Sequence, residues 1–541
     1  MHPTNPPQPV RAVIPESAFR SSADGADGIA ETTRIAPVIE QAVGVQRQMD
    51  PCSQSSAPSA SSADTASAFP LKSVDLLRIG GCGLLLSLAS CVSPIGRDHQ
   101  PPDVSAITPA TYTWQPAQPV DHLPKGEWWK AFNDAELDAL ETRALAGSPT
   151  VQAAVARVEQ GRARARASKV DFFPDIRFHP AFDRQRTSGN LPTPVPVSIP
   201  AAQINSFSVP LDLSYEIDLW GKVRRTVESA RNTAAASAAD YNQVLLTLSA
   251  DVAAQHFTRR ALDTEIAALR RSLALREGQL RLLEQRAAAG TIAQTDVFRA
   301  RTELSNTRSD LADATRLREE SAAALALLCG EPAGRLPLTE SPLGTNAPPT
   351  VPPGLPAQLL ERRPDIAAAE RLVAARNADI GVAKAAYFPS LRLTGNAGFL
   401  SSDVDSLFSA DSRTWSIGPS LTLPVTGYAV IGARVRNARA AHAEATAQYR
   451  QAVLGAIRDV ETSLAQVRYR AEQSAALAES LASARQAEDL IRQRYDRGLV
   501  SQVELLDAER SRLLVELRHA QILAQQHIAS VRLIKSLGGA W

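Results

Sequence analysis

The sequence predicts a mainly α-helical chain with a membrane β-barrel segment, built by duplicating one helix–hairpin–long helix unit. Three observations lead there. From Phe207 to Leu219 every odd position is apolar, and every even position from Ser208 to Asp218 is polar apart from Pro210. A period of two sorts these residues onto the two faces of one strand. After Gly221 the chain runs to Ala289 without a proline. A helix of that length reaches roughly 100 Å, whereas globular helices average about 11 to 12 residues. Finally, Pro149 and Pro174 recur as Pro364 and Pro389, in similar surroundings and 215 residues on in both cases, the mark of an internal duplication.

Composition excludes several functions. The 541 residues carry a net charge of +1 and only 5% aromatics, which leaves no electrostatic footprint for nucleic acid. Cys52, Cys82, Cys91 and Cys329 are far apart and show no CxxC spacing, so neither a zinc site nor a disulfide framework is indicated. The eight histidines form no HExxH, and neither GxxxxGK[ST] nor GxSxG occurs. No catalytic constellation, metal site or cofactor site is expected.

Residues 1–70, rich in Ser, Ala, Pro and Asp, read as a disordered extension or the product of a misassigned start. Residues 71–90 read as a signal segment. Lys72 and Arg78 precede about a dozen apolar or small residues, too few to span a bilayer. Its ending, Leu88-Ala89-Ser90-Cys91, resembles the bacterial lipobox, which makes Cys91 the acylated mature N-terminus; cleavage by an ordinary signal peptidase near Ala89 is the alternative. Residue two would then be Val92 rather than the Asp that favours inner-membrane retention in such lipoproteins.

Residues 91–133 are Pro-rich and extended. The first repeat, 134–330, opens with Asp134 positioned to cap a helix over Glu136–Leu145. A second helix follows Ser148-Pro149 and extends to about Val170. Ile176, Phe178 and Phe182 then share one strand face, and a loop (185–203) joins that strand to the 207–219 strand as a hairpin. The long helix ends at the Gly290 turn, and a return helix of about 35 residues runs from Thr291 to Leu328-Cys329-Gly330. A Pro-rich connector (331–356) leads to the second repeat, 357–541.

There Arg363-Pro364-Asp365 opens a helix to Ala386, and Tyr387-Phe-Pro-Ser-Leu-Arg-Leu parallels Phe172-Phe-Pro-Asp-Ile-Arg-Phe. Leu391, Leu393, Ala397 and Phe399 alternate with Arg392, Thr394 and Asn396. Trp415, Ile417, Leu421, Leu423 and Val425 alternate in the same way with Ser416, Ser420 and Thr422. A Pro-free helix from Ala433 to Arg497 ends at the Gly498 turn, and the last helix closes at Leu537-Gly-Gly. Each half thus supplies two strands, one long helix and two helices of half that length, which stack end to end beside the long one. Four strands cannot close a barrel alone. Three copies would give twelve, a feasible number for a transmembrane barrel.

Leu-Ala-Ser-Cys91, Phe-Phe-Pro174, Tyr-Glu-Ile-Asp-Leu-Trp-Gly221, Glu-Arg-Arg-Pro-Asp365, Ala-Ala-Tyr-Phe-Pro-Ser390, Arg-Tyr-Asp-Arg-Gly498, Leu-Leu-Asp-Ala-Glu-Arg-Ser511 and Leu-Gly-Gly539 carry a resemblance. Together they make residues 88–541 similar to the TolC/OprM family of outer-membrane efflux channels, in its NodT-like lipoprotein branch. Residues 1–70 have no counterpart there. The resemblance implies a homotrimer whose 12-stranded barrel is continuous with a long α-helical barrel across the periplasm. It implies a passive exit duct for small molecules, not an enzyme, that meets a periplasmic adaptor and an inner-membrane pump. Its only covalent group would be lipid on Cys91, anchoring it in outer-membrane lipid. A type I protein-secretion channel is the alternative, and a periplasmic coiled-coil scaffold is a third.

The resemblance also implies adaptor contact at the tip turns Gly290 and Gly498, with a gate just inside. The matching positions are Thr295 and Asp296 in the first half and Val503, Glu504, Asp507 and Arg510 in the second. Val503, Asp507 and Arg510 fall at i, i+4 and i+7, so one helical stripe can face a pore. Threefold symmetry would turn each into a ring, with Arg510 bridging to a neighbouring hairpin. Asp507 and Arg510 could instead be an ordinary i, i+3 surface pair.

Overall fold

The computed structural model describes residues 94–103, 126–188, 201–344, 347–349 and 362–539, all within one unit of the chain, Leu76–Trp541. Residues 1–90, Cys91 and most of the 91–133 segment lie outside the described residues. The chain proceeds as α1 (Ala135–Gly147), α2 (Pro149–Ala167), β1 (Asp175–Phe178), β2 (Ala181–Arg186), β3 (Gln203–Ile217), α3 (Lys222–Ala288) and α4 (Gln294–Cys329). The second half follows as α5 (Pro364–Ala385), β4 (Ser390–Ser401), β5 (Arg413–Thr422), α6 (Tyr428–Asp496) and α7 (Gln502–Ser536).

Local chemistry explains the boundaries. Asp134 caps α1, accepting from the backbone N–H groups of Glu136 and Leu137 at 3.1 Å. Pro149 and Pro364 occupy first-turn positions, where a missing N–H costs nothing. Asp218 turns out of β3 and accepts from Val223 N–H and Arg224 N–H at 3.1 and 3.0 Å. That cap ends the strand two residues before the predicted Leu219. The second long helix starts five residues before the predicted Ala433, because Gly427 (φ +90) turns directly into it.

The long helices contain 67 and 69 residues, and the return helices α4 and α7 contain 36 and 35. The other helix of each half stops near its expected end, α2 at Ala167 and α5 at Ala385, but with 19 and 22 residues each falls short of the expected half of the long helix. A 3₁₀ turn after α2 and a Phe-Pro exit in each half lead into the sheet. The end-to-end joints do form. A side chain at Gly330 would lie 2.3 Å from Gly147 O, and one at Gly538 would lie 3.0 Å from Arg362 O. Both glycines hold positive φ, so each joint needs glycine twice over.

Helix packing is layered: α3 lies against α2, α4, α5 and α7, and α6 lies against α5 and α7. The largest core gathers Trp128, Trp129, Leu137, Val252, Phe257, Leu325, Val531 and Ile534 midway along α3. The sheet is antiparallel throughout, in the order β1 and β2, then β3, β4 and β5. The first predicted strand is split in two. β1 and β2 keep one register against β3, with Phe178 opposite Leu211 and Ala181 opposite Ser208. The break falls at His179-Pro180, where Pro180 lacks a ladder donor and His179 faces Pro210, which lacks one too. Physically there are four strands.

Candidate functional site: a two-faced sheet and the helical tip

The registers place one apolar face across the whole sheet. Ile176, Phe178 and Phe182 meet Leu213, Leu211 and Phe207; these continue onto Leu391, Leu393, Ala397 and Phe399, then Trp415, Ile417 and Leu421. No element among the described residues covers it: Trp415 is 76% exposed, Leu421 68% and Phe178 64%. A patch of this extent on a soluble surface would drive association. The opposite face is polar. Arg177 donates to Asp175 at 2.7 Å, His179 Nδ1 lies 3.0 Å from Asp212, Asn396 donates to the same Asp212 at 2.6 Å, and Lys222 donates to Glu216 at 2.9 Å. β1 and β2 form one edge of the sheet and β5 the other.

Where sheet meets helix, the two halves lock together. Trp220 Nε1 donates to Pro389 O at 2.7 Å, and its ring stacks on Phe388 at 4.8 Å. Gly221 (φ +77) lets Pro94 approach so closely that a Cβ would sit 2.3 Å from it. Ile95 N–H bonds to Trp220 O, and Arg225 holds Gly96 O and Asp98. The N-terminal arm is thereby strapped to this junction. By the duplication, Phe173 corresponds to Phe388, yet Phe173 is 69% exposed, and so is Val425 (79%) near the matching end of the second half. Among the described residues the junction between halves is made once, and its second occurrence is not made within the chain.

At the far end, both long helices close identically. Gly290 N–H bonds to Ala287 O and Thr291 N–H to Arg286 O; Gly498 N–H bonds to Tyr495 O and Leu499 N–H to Arg494 O. These are Schellman turns with glycine at the left-handed position, φ +71 and +75. No atom lies near a Cβ built on either glycine, so both turns present open surface.

The structure distributes the predicted tip residues unevenly. Val503, Asp507 and Arg510 are all exposed and line one groove of about 390 Å³ with Phe298, Arg299 and Leu506. Asp507 and Arg510 form no ion pair with each other or with any other described residue. Thr295 and Asp296 stand outside the groove; Asp296 approaches Arg299 at 4.0 Å and favours the start of α4. Glu504 closes a reciprocal capping box with Ser501.

Sequence reasoning missed the network behind the groove. Glu509, 3% exposed, accepts from Gln279 of α3 at 2.6 Å and from Arg492 of α6 at 3.1 Å. Burial pushes its carboxyl up. Arg492 and Arg512 both reach Glu488, and Arg512 reaches Glu516. Glu509 stands inside the Leu-Leu-Asp-Ala-Glu-Arg-Ser511 motif two residues from Asp507, but one residue's burial is invisible in a charged helix. No helix among the described residues is long and apolar enough to cross a membrane, and no cluster among them could hold a metal ion.

Known proteins share this arrangement. Residues 140–331 and 355–539 match the family described as outer membrane efflux protein. The pyoverdine export outer membrane protein OpmQ of Pseudomonas putida is 32% identical over 459 residues, covering 85% of this chain and 96% of that protein. The toluene efflux pump outer membrane protein TtgI, also of Pseudomonas putida, is 31% identical over 468 residues, 86% of this chain and 97% of that one. Among solved structures, the outer-membrane channel OprN superposes with a TM-score of 0.75 at 30% identity, over 83% of this chain and 99% of its own.

Proposed function

Because the chain belongs to the outer membrane efflux protein family, we propose that three copies close its four-stranded sheet into a 12-stranded barrel that conducts small molecules outward. The observation that carries this is the uncovered apolar face bounded by two unpaired edges. In lipid each unsatisfied backbone group costs several kcal/mol, so the edge of β5 must pair with the β1 and β2 edge of a neighbour. The same step brings the neighbour's Phe173 to the exposed Val425 end, repeating the contact that Trp220 and Phe388 make within one chain. The apolar face then meets lipid, and the polar face lines the lumen.

The long helices carry the duct away from the membrane by roughly 100 Å, a reach suited to the periplasm. A periplasmic adaptor meets the two Schellman turns, and an inner-membrane pump supplies the energy. Small molecules such as drugs or toxic compounds are the cargo, a class suggested by the pyoverdine and toluene named for its relatives. Lipid on Cys91 fits the strap, since four extended residues reach about 14 Å at most from Ile95 at the junction. Mass measurement in mild detergent tests the assembly. Three chains per particle are expected, and a well-folded monomer with its sheet intact would refute the closed barrel.

A further inference from the structure

We infer that His179 and Asp212 form the ion-selecting site of the duct's barrel segment, its net charge depending on whether the imidazole holds its second proton. The inference rests on the polar sheet face being the lumen wall. Asp212 stands in β3, held from one side by His179 at 3.0 Å and from the other by Asn396 of β4 at 2.6 Å. The backbone puts the imidazole there. Proline at 180 and at 210 opens the ladder at His179, which remains largely exposed on the lumen side.

The remaining charges on this face are mostly spoken for. Within β1, Arg177 neutralises Asp175. On β3, Glu216 is shared by Lys222 and by Arg392 of β4. Asp183 on β2 is the other carboxylate of this face, and β5 contributes only hydroxyls and glycine, through Thr414, Ser416, Gly418, Ser420 and Thr422. Arg184 and Arg186 lie on the opposite face. His179 is therefore the one imidazole on this wall among the described residues, and it carries charge only when protonated. With the imidazole neutral, Asp212 faces the lumen as an uncompensated carboxylate. With it protonated, the pair is neutral. Three copies make this a ring.

Reach decides whether such a ring matters. Twelve strands spaced about 4.8 Å apart and tilted about 40° enclose a backbone radius of roughly 12 Å. The screening length is about 30 Å at 0.01 M salt, 10 Å at 0.1 M and 3 Å at 1 M. The ring therefore governs the whole lumen in dilute salt and is silent at 1 M.

Reversal potentials across planar bilayers under a KCl gradient, at 0.01 to 0.1 M, test it with the full-length protein. The natural channel should prefer potassium at pH 8, and its reversal potential should move toward zero at pH 5.5. His179→Gln should keep the pH 8 value at both pH values, and Asp212→Asn should lower the preference at both. An unaltered pH shift in His179→Gln, or full preference at pH 8 in Asp212→Asn, overturns the assignment. Assembled trimers that conduct nothing under any condition overturn the duct reading itself, and this inference with it.

Discussion

A pair of cysteines can show directly whether β5 closes on a neighbouring copy. Within one chain, β5 and the β1 and β2 edge are separated by β3 and β4. Three strand spacings of about 4.8 Å put them about 14 Å apart along the sheet, whereas a disulfide needs Cα atoms within about 7 Å. No intrachain bridge can form. The register across the missing junction follows from the β3 and β4 pairing, in which Leu213 faces Gly395. Aligning Gly427 with Gly221 places Ser416 opposite Asp183; aligning the two hairpins places it opposite Gln185. Both choices keep polar residues on one face, so Ser416→Cys is combined with Asp183→Cys in one variant and Gln185→Cys in another. The native Cys329 should not compete, since burial, with the nearby charge of Glu331, pushes its thiol up to about 11. After mild oxidation in membranes, a non-reducing denaturing gel should show a ladder that stops at three chains for one of the variants. Ser416→Cys alone should give none. Monomers only, in both double variants, would refute the closure.

Other expectations follow from single contacts. Trp220→Ala removes the bond to Pro389 and the stack on Phe388; for a half-buried ring the loss should sit near the lower end of the usual 3–5 kcal/mol, seen as a lower thermal midpoint of the assembled protein. Glu141 is wholly buried with no partner for either oxygen, and burial, with Asp138 nearby, raises its carboxyl from 4.5 to about 9. The folded chain holds a proton that the unfolded chain has released, so stability falls as pH climbs from 4.5 toward 9, by at most about 3 kcal/mol at pH 7. Glu141→Gln should therefore raise the thermal midpoint more at pH 8 than at pH 5, and equal effects would count against it. Replacing Asp507 and Arg510 together with Ala should raise single-channel conductance if they gate the tip; unchanged conductance removes them from it. Label from radioactive palmitate should be lost in Cys91→Ala, and label that persists would sink the lipidation.

Periodicity made the large features legible. Alternation at 207–219 gave the face that the registers later assembled across the sheet, and the proline-free runs gave the long helices. What stayed hidden depends on contacts between distant segments. The split at His179-Pro180 needs Pro210 opposite, which only a register supplies. Asp218 reads as one more polar strand residue, yet it is the cap that ends β3. At the tip, spacing brought Val503, Asp507 and Arg510 to one groove, whereas Asp296 and Glu504 are drawn to helix-end chemistry and Thr295 stands apart from the groove. Glu509, which joins three helices, needed a burial that helical spacing does not resolve.

The two halves also show where a duct of this kind can move. Midway along α3, Arg259 is wholly buried and binds Glu136 at 2.6 Å, Asp263 at 3.1 Å and Thr339 O at 2.7 Å, while Arg260 binds Ser341 O, Pro342 O and Asp134. Burial opposes ionisation of Asp134, but the His256 bond and the Arg260 charge win and hold its carboxyl well below the usual range. The second half makes its joint with Arg363, which binds Asp365 and Ser536 O. Removing one member of a buried pair costs about 3–5 kcal/mol, so these joints resist deformation. Beyond them toward Gly290 and Gly498 the core thins to two small clusters, one of Ile266, Leu269, Ala314 and Leu513 and one of Leu283, Val297 and Ala300, with polar bridges such as Gln279 to Glu509 beside them. Water can replace a polar bridge at a net cost of about 0.5–3 kcal/mol; it cannot replace a core. Motion is therefore cheapest between the joints and the tip, where the apolar clusters are small and exchangeable bonds share the contact between helices.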